Sequence, residues 1–151
     1  MTQVRGRVAA ITGAGSGIGR GLALELAARG CQLAVSDIDD AGLAETVALV
    51  ERSARRRGGV EVSSTHVDVT DREAVEAWAS ATIDEFGHVN LIFNNAGVAL
   101  AANVSAMSYD SFRWLMDINF WGVVHGTMAF LPHLKTSGDG HVVNISSVFG
   151  L

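Results

Sequence analysis

Short apolar runs alternate with stretches of helical periodicity from one end of the chain to the other. Short apolar runs predict strands, and the run that is closed by Asp37 is predicted to be a buried one. The predicted strands are Val8–Thr12, Leu33–Ser36, Val60–Val67, Val89–Phe93 and Val142–Ile145.

Between these strands, apolar residues recur at the spacing of a helix face. The predicted helices are Gly17–Arg29, Asp40–Arg57, Thr70–Phe86 and Ser108–Lys135. Gly30 ends the first helix, Gly58-Gly59 ends the second, and Thr70 with Glu73 predicts a capping box at the start of the third. Pro132 is expected to disturb the last turn of the fourth. The predicted apolar stripe of that helix comprises Phe112, Leu115, Met116, Asn119, Val123 and Phe130.

This strand and helix order predicts an α/β fold. Strands joined by helical crossovers run parallel, so the pattern βαβαβαβαβ predicts an open, doubly wound parallel sheet. No linker, repeat or low-complexity segment divides the 151 residues, and they are expected to form one domain. The fifth strand is the last predicted element, and its apolar residues on both faces would leave an association-prone edge.

Composition narrows the class of protein. Apolar residues make up 48% of the chain, the net charge is −5, and the one basic cluster, Arg52–Arg57, suits a helix C-terminus better than a nucleic-acid surface. Cys31 is the only cysteine and is predicted to be buried. The five histidines lack metal-ligand spacing, and we expect no metal site. There is neither a signal-peptide pattern nor a membrane span, so a cytoplasmic protein without membrane partners is expected.

A glycine-rich turn follows the first strand and opens the first helix. Glycines there let a diphosphate approach the backbone, and the helix N-terminus offers it unpaired N–H groups. The predicted nucleotide-contacting residues are Gly13, Gly15, Ser16, Gly17, Ile18 and Gly19. Two alternatives remain open. The turn could only pack helix against strand, or its G-x-G-x-G reading could indicate a Rossmann-type methyltransferase.

Asp37 ends the second strand and bears on cofactor choice. Its carboxylate can accept hydrogen bonds from both hydroxyls of an adenosine ribose and would repel a 2′-phosphate. Position 16 is serine and no basic residue adjoins Asp37, so NAD(H) is favoured over NADP(H). The alternative is a helix N-cap or loop acid, given Asp39 and Asp40 nearby.

Several polar residues on or beside the predicted elements could be explained by structural roles alone. Asn94 and Asn95 could turn the chain after a strand. Asn119 could be a core asparagine satisfied by backbone, and Ser147 an ordinary serine at a strand end. Gly122 and Gly126 are expected to permit close packing of the long helix.

Five motifs in this order resemble the classical short-chain dehydrogenase/reductase family, over essentially the whole chain. They are the turn T-G-x-x-x-G-x-G at Thr12, Gly13, Gly17 and Gly19, the pair Asp68-Val69, the segment Asn94-Asn95-Ala96-Gly97, the helix asparagine Asn119, and the strand Asn144-Ile145-Ser146-Ser147. The resemblance implies a Rossmann-type fold and a nicotinamide-dependent oxidoreductase that acts on an alcohol or ketone. It implies cofactor contacts from Asp68, Val69, Asn95, Ala96 and Gly97, and it makes Ser147 and Asn119 members of the catalytic set.

In this family a tyrosine, with a lysine four residues later, exchanges the proton, and the resemblance implies that this chain is the N-terminal portion. Its only tyrosine, Tyr109, precedes Ser147 and is followed four residues later by Arg113. We therefore expect the chain alone to be catalytically incomplete and a fragment of a longer product. An alternative is a non-catalytic NAD-binding module. The intact protein is expected to form a dimer or tetramer, in part through the long helix.

Overall fold

The computed structural model describes residues 4–54 and 59–147. Its strands are β1 Val8–Thr12, β2 Gln32–Asp37, β3 Val62–His66, β4 Leu91–Asn94 and β5 His141–Asn144. Its helices are α1 Gly17–Ala28, α2 Asp40–Ala54, α3 Arg72–Phe86, α4 Tyr109–Met116 and α5 Gly122–Ser137. A 3₁₀ turn spans Val104–Ala106, and a π-helical turn spans Asp117–Trp121. Arg55–Arg57, Gly58, Gly150 and Leu151 lie outside the described residues.

All five strands are parallel and lie in the order β3-β2-β1-β4-β5, which confirms the predicted α/β architecture. The chain builds outward from β1 through β2 to β3, and α3 then returns it to the opposite side of β1. The strand order therefore reverses between β1 and β4. Ligands of open α/β sheets bind at such a reversal, beyond the carboxyl ends of the strands.

Helices cover both faces of the sheet, and the side chains of each strand point alternately to the two faces. Ala9 and Ile11 of β1 pack with α1 and α2, whose buried contacts include Leu26 and Val50. Val8 and Ala10 face the other way and pack with α3 and α5. On that face the rings of Trp78 and Phe130 meet edge to face, 5.0 Å between centroids. This is the double winding that the sequence pattern predicts.

The start of α3 corrects one sequence prediction. Asp71, not Thr70, is the N-cap, and its carboxylate accepts a hydrogen bond from the N–H of Ala74 at 3.1 Å. Thr70 is already engaged, since both its N–H and its hydroxyl donate to Asp68 Oδ1. The helix consequently begins one residue late, and Glu73 does not complete a capping box. The predicted end of α1 at Gly30, φ +83°, is confirmed.

The predicted long helix is interrupted, and its apolar stripe is only partly buried. A π-helical turn separates α4 from α5, and Phe130 is buried while Phe112 and Met116 are 41% and 48% exposed. Among the described residues, neither α4 nor the π-helical turn buries a side chain. Pro132 does not end α5, which continues to Ser137.

Two smaller predictions, the burial of Cys31 and close packing at Gly122 and Gly126, are confirmed. Cys31 is fully buried, and its thiol donates to the carbonyl of Arg7 at 3.1 Å. Gly122 and Gly126 are sites of close packing, because a Cβ at Gly122 would lie 2.8 Å from Val69 Cγ2 and one at Gly126 would overlap Asn94 Oδ1.

In the part of the chain that the structure describes, no helix has both the length and the apolar character to cross a bilayer.

Candidate functional site

A cleft of about 530 Å³ opens at the carboxyl ends of β1, β2, β3 and β4, where the strand order reverses. Its size lies within the range of small-molecule and cofactor sites, roughly 300–1,000 Å³. It is lined by Gly13, Ser16, Gly17, Ile18, Asp37, Ile38, Val67, Asp68, Val69, Thr70, Asn95, Ala96, Gly97, Val98, Trp114 and Ile118. The fold thus collects residues from four strand ends and from the α4 region into one cavity.

The floor of the cleft is the glycine turn, residues 12–19, between β1 and α1. Gly13 and Gly17 adopt positive φ angles of +66° and +51°, a region that favours glycine. A Cβ at Gly13 would lie 2.8 Å from Ala96 Cα, so the turn also needs glycine for close approach. The side chain of Ser16, the N-cap of α1, makes no capping hydrogen bond. The first N–H groups of α1 are thus without a side-chain cap beside the cleft, as an anion site requires.

Two predicted cofactor-contacting glycines lie behind this surface. Gly15 is buried, and a Cβ there would lie 2.8 Å from Asp37 Oδ2. Gly19 is also buried, and a Cβ there would overlap the Gly13 carbonyl and lie 2.6 Å from Asn95 Nδ2. Neither residue lines the cleft, and both serve the shape of the turn.

Side-chain hydrogen bonds join the carboxyl end of β1 to the segment that follows β4. Thr12 Oγ1 accepts from the N–H groups of Asn95 and Ala96, each at 3.0 Å. Asn95 Nδ2 in turn donates to the carbonyls of Thr12, at 2.9 Å, and Gly13, at 3.1 Å. Both side chains are therefore used to hold the glycine turn against the Asn95-Ala96-Gly97 segment.

Asp37 occupies the position that its sequence context predicts, at the end of β2 and in the cleft wall. Its Oδ2 accepts from the N–H of Gly15 at 2.7 Å, and its Oδ1 accepts from the N–H of Asp39 at 3.0 Å. The cap at the start of α2 is Asp39, whose Oδ1 accepts from the N–H of Gly42 at 3.1 Å. The alternative that Asp37 is a helix cap is therefore wrong.

The charge in the cleft is negative. Asp37 and Asp68 both line it, and Asp68 Oδ1 is held by the N–H of Thr70 at 2.9 Å and by its hydroxyl at 2.8 Å. Among the described residues, no lysine, arginine or histidine lines the cleft. A ligand that donates hydroxyl hydrogens suits this end of the site better than one that adds an anionic group.

Val69 forms the buried edge of the cleft next to Asp68. Its carbonyl lies 3.0 Å from His125 Nδ1 on α5, and its side chain packs on Gly122. Its own exposed fraction is 7%. The pair Asp68-Val69 therefore presents a carboxylate and an apolar wall from a backbone that α5 anchors.

Asn119 lies in the π-helical turn rather than in a regular helix. Its Oδ1 accepts from the N–H of Val98 and its Nδ2 donates to the Val98 carbonyl, both at 2.8 Å. Its side chain is satisfied by backbone, as the alternative interpretation holds, but the residue is exposed and not in the core. The amide attaches the segment after β4 to the α4–α5 region. π-helical turns often occur at functional sites.

The remaining predicted residues lie at the same edge of the sheet but outside the cleft lining. Asn94 Nδ2 donates to Asn144 Oδ1 at 2.8 Å and to Thr127 Oγ1 at 3.0 Å, so Asn94 ties β4 to β5 and α5. Ser147 follows β5 and is exposed. It lies beyond the carboxyl end of a strand that neighbours β4.

Sequence reasoning missed several residues of the cleft wall. Ile38, Val67, Thr70 and Val98 directly adjoin predicted site residues in the sequence. Ile118 precedes Asn119, and Trp114 lies four residues before Ile118, which places both on one helical face. Ile18 and Ile38 are 65% and 63% exposed, so the cleft wall includes two large apolar side chains that are accessible to a ligand. In the described part of the chain, no three histidine, cysteine or acidic side chains are grouped to hold a metal ion.

Comparison with known proteins gives a consistent result. The family model described as short chain dehydrogenase matches residues 7–151. SadH of Mycobacterium tuberculosis, a protein named as an oxidoreductase, is 51% identical over 151 residues, which are 100% of this chain and 53% of SadH. Levodione reductase of Leifsonia aquatica is 38% identical over 99% of this chain and 55% of its own length. The chain thus spans about half the length of the curated relatives it matches.

Solved structures agree in fold as well as in sequence. The crystal structure of a short-chain dehydrogenase/reductase from Burkholderia phymatum, in complex with NAD, superposes with a TM-score of 0.91 at 38% identity. The superposition covers 99% of this chain and 52% of that one.

Proposed function

This chain belongs to the short-chain dehydrogenase family, and on that premise we propose that residues 1–151 form the NAD-binding part of an oxidoreductase. The observation that carries the proposal is the cleft at the strand reversal. It joins a glycine turn and an uncapped helix N-terminus to a carboxylate at the end of β2. A bound nicotinamide cofactor would supply hydride donation or acceptance at its ring.

The residues present fit such a cofactor along the length of the cleft. The backbone of Ser16, Gly17 and Ile18 would hold the diphosphate, because no side chain caps that end of α1. Asp37 would hold the adenosine ribose. Asp68 and Val69 would flank the adenine ring, and the segment from Asn95 to Gly97 would contact the other half of the cofactor.

We propose NAD(H) rather than NADP(H) as the cofactor. The carboxylates of Asp37 and Asp68 would repel a 2′-phosphate, which carries a charge of about −1.5 to −2 at neutral pH. Arg20 lies near the glycine turn, but its guanidinium donates to the carbonyls of Gly15 and Gly42 and forms an ion pair with Glu45. The part of the chain that the structure describes thus offers no cation in the cleft to offset the repulsion.

In the whole protein we propose hydride transfer between nicotinamide and a small alcohol or carbonyl compound. Ser147 would hydrogen-bond the substrate oxygen, and Asn119 would contribute to the proton relay through its backbone. No tyrosine in the 151 residues is followed four residues later by lysine. General acid/base catalysis contributes roughly 10²–10⁴-fold to rate. The chain alone should therefore bind the cofactor without enzyme-like turnover.

We also propose that the whole protein associates with copies of itself, in part through the α4–α5 region. That region exposes several large apolar side chains, and contiguous exposed apolar surface often marks an interface. They are Tyr109, Phe112, Trp114, Met116, Phe120, Trp121 and Met128.

Titration of the chain with NADH, NADPH and S-adenosylmethionine tests the cofactor proposal. We expect saturable binding of NADH, at least tenfold weaker binding of NADPH, and no binding of S-adenosylmethionine. Binding of S-adenosylmethionine alone would favour a methyltransferase-type site, and preference for NADPH would contradict the role given to Asp37. A non-catalytic NAD-binding module predicts the same binding, and assay of a longer product that carries the tyrosine and lysine separates it from an enzyme.

A further inference from the structure

We propose that Arg20 and Thr46 are positioning residues that hold the glycine turn in the shape that receives the cofactor diphosphate. The proposal rests on the NAD-binding function proposed above and names two residues, from α1 and α2, that control it. Neither lines the cleft. Both act from behind, on the backbone of Ala14 and Gly15.

The N–H groups of these two turn residues are held by β2. Ala14 donates to the carbonyl of Ser36 at 3.0 Å, and Gly15 donates to Asp37 Oδ2 at 2.7 Å. Gly15 is therefore attached directly to the carboxylate proposed to hold the ribose.

The carbonyls of the same two residues are held by α1 and α2. Thr46 Oγ1 lies 2.8 Å from the Ala14 carbonyl oxygen, and Arg20 Nη2 donates a hydrogen bond to the Gly15 carbonyl. All four backbone polar groups of Ala14 and Gly15 thus have protein partners. The turn consequently directs these carbonyls towards α2, and the cleft side is left to the N–H groups that follow, where an anion would bind.

The planar guanidinium of Arg20 joins its own helix, α1, to the glycine turn and to α2. Besides the Gly15 carbonyl, Nη2 lies 3.3 Å from the Gly42 carbonyl and 2.8 Å from a Glu45 carboxylate oxygen, and Nε donates to Thr46 Oγ1 at 3.0 Å. A guanidinium can do this because its donors form a fixed fork, which a lysine ammonium lacks. Thr46 itself is fully buried, so its hydroxyl contacts protein groups and not solvent.

The Gly15 carbonyl approaches the start of α2 closely, and this approach requires glycine at position 42. A Cβ at Gly42 would lie 2.6 Å from the Gly15 carbonyl oxygen. The carbonyl therefore accepts a hydrogen bond from Arg20 and lies close to the backbone of α2. This geometry makes α2 a support for the turn, and it predicts that changes on α2 alter cofactor affinity without touching the cleft.

The test compares the dissociation constants of NADH, ADP and adenosine for the wild-type chain and four variants. Arg20→Ala and Thr46→Val should each weaken NADH and ADP on the order of tenfold, the equivalent of one lost hydrogen bond to a charged or buried group. Adenosine lacks the diphosphate and should weaken by less than about threefold. Thr46→Ser keeps the hydroxyl and should retain near wild-type affinity. Arg29→Ala, at the exposed end of the same helix, is the matched control for loss of an arginine.

Each outcome decides a different question. If the wild-type chain fails to bind NADH, the proposed function is wrong. If it binds and the Arg20 and Thr46 variants bind equally well, the positioning role is refuted. Equal losses for all three ligands, or an equal loss in Arg29→Ala, would also refute it, because folding or general charge would explain them. Should Arg20→Ala not fold, the comparison of Thr46→Val with Thr46→Ser still decides, since both disturb the core but only one removes the hydroxyl.

Discussion

Replacement of Asp37 by asparagine is the most direct test of how this cleft selects its cofactor. The carboxylate already accepts two backbone hydrogen bonds, one on each oxygen, from Gly15 and Asp39. Each carboxylate oxygen has two acceptor positions, so one per oxygen remains for a ribose hydroxyl. Asparagine has the same shape but only one acceptor oxygen and no charge. It therefore loses one backbone contact and at least one ribose contact.

The expected magnitude follows from these contacts. A hydrogen bond to a charged group contributes about 1.5–3 kcal/mol and a neutral one about 0.5–1.5 kcal/mol. Loss of charge at one or two ribose contacts should thus weaken NADH roughly 10- to 100-fold. For NADPH the change relieves repulsion, which at about 5 Å and an effective dielectric constant near 20 is about 3 kcal/mol per unit charge. Water at this partly exposed position reduces that figure, and we expect roughly a tenfold gain in NADPH affinity.

The assay is titration of both cofactors, followed by NADH or NADPH fluorescence or by calorimetry. The ratio of the NADPH to the NADH dissociation constant should fall by at least about 100-fold in Asp37→Asn. Asp40→Asn removes the same charge nearby, where the carboxylate contacts His66 and does not line the cleft. It should leave the ratio within about twofold. An unchanged ratio in a folded Asp37→Asn protein, or an equal change in Asp40→Asn, would refute the assignment of Asp37.

Three further predictions concern the turn, a helix cap and the buried thiol. Gly13→Ala forces a positive φ on an alanine, which costs roughly 1–2 kcal/mol, and places its Cβ 2.8 Å from Ala96 Cα. Tm and NADH affinity should both fall in this variant, and an unchanged Tm would contradict this reasoning. Asp71→Ala should lower the free energy of unfolding in urea by about 1 kcal/mol, and an equal or larger loss in Thr70→Ala would contradict the cap assignment. Burial raises the pKa of the Cys31 thiol from 9.0 to about 12, so iodoacetamide should label it at pH 8 only after unfolding. The unfolded thiol ionises above pH 9 while the folded one does not, so stability relative to Cys31→Ala should decline from pH 9 towards 12.

Prediction from sequence was most accurate where the signal is local. β1 was predicted to the residue, because an apolar run that meets a glycine turn is defined within one short segment. The end of α1 at Gly30 was equally clear, since a positive φ there favours glycine. Where two residues could perform one local task, the prediction was wrong. Thr70 and Asp71 can both cap a helix, and the nearby carboxylate of Asp68 decided between them.

The long helix shows the limit of periodicity. Its apolar spacing continues through the π-helical turn, which the sequence pattern does not reveal. The same spacing predicted an apolar stripe, and of its residues Phe112 and Met116 are exposed while Phe130 is buried. Periodicity reports that one face is apolar, but it does not report what covers that face.

The sequence by itself determined the order of strands and helices, the glycine turn, and the residues of the family motifs, because each depends on neighbours close in the chain. Only the tertiary structure decided which of them meet. The sheet order β3-β2-β1-β4-β5 brings four strand ends to one cleft and sets Asp37 against Gly15. Arg20 and Thr46 show the same dependence, since nothing in their own segments predicts a shared role. Contacts between distant segments follow from how helices pack on a sheet, and that packing is a property of the whole chain.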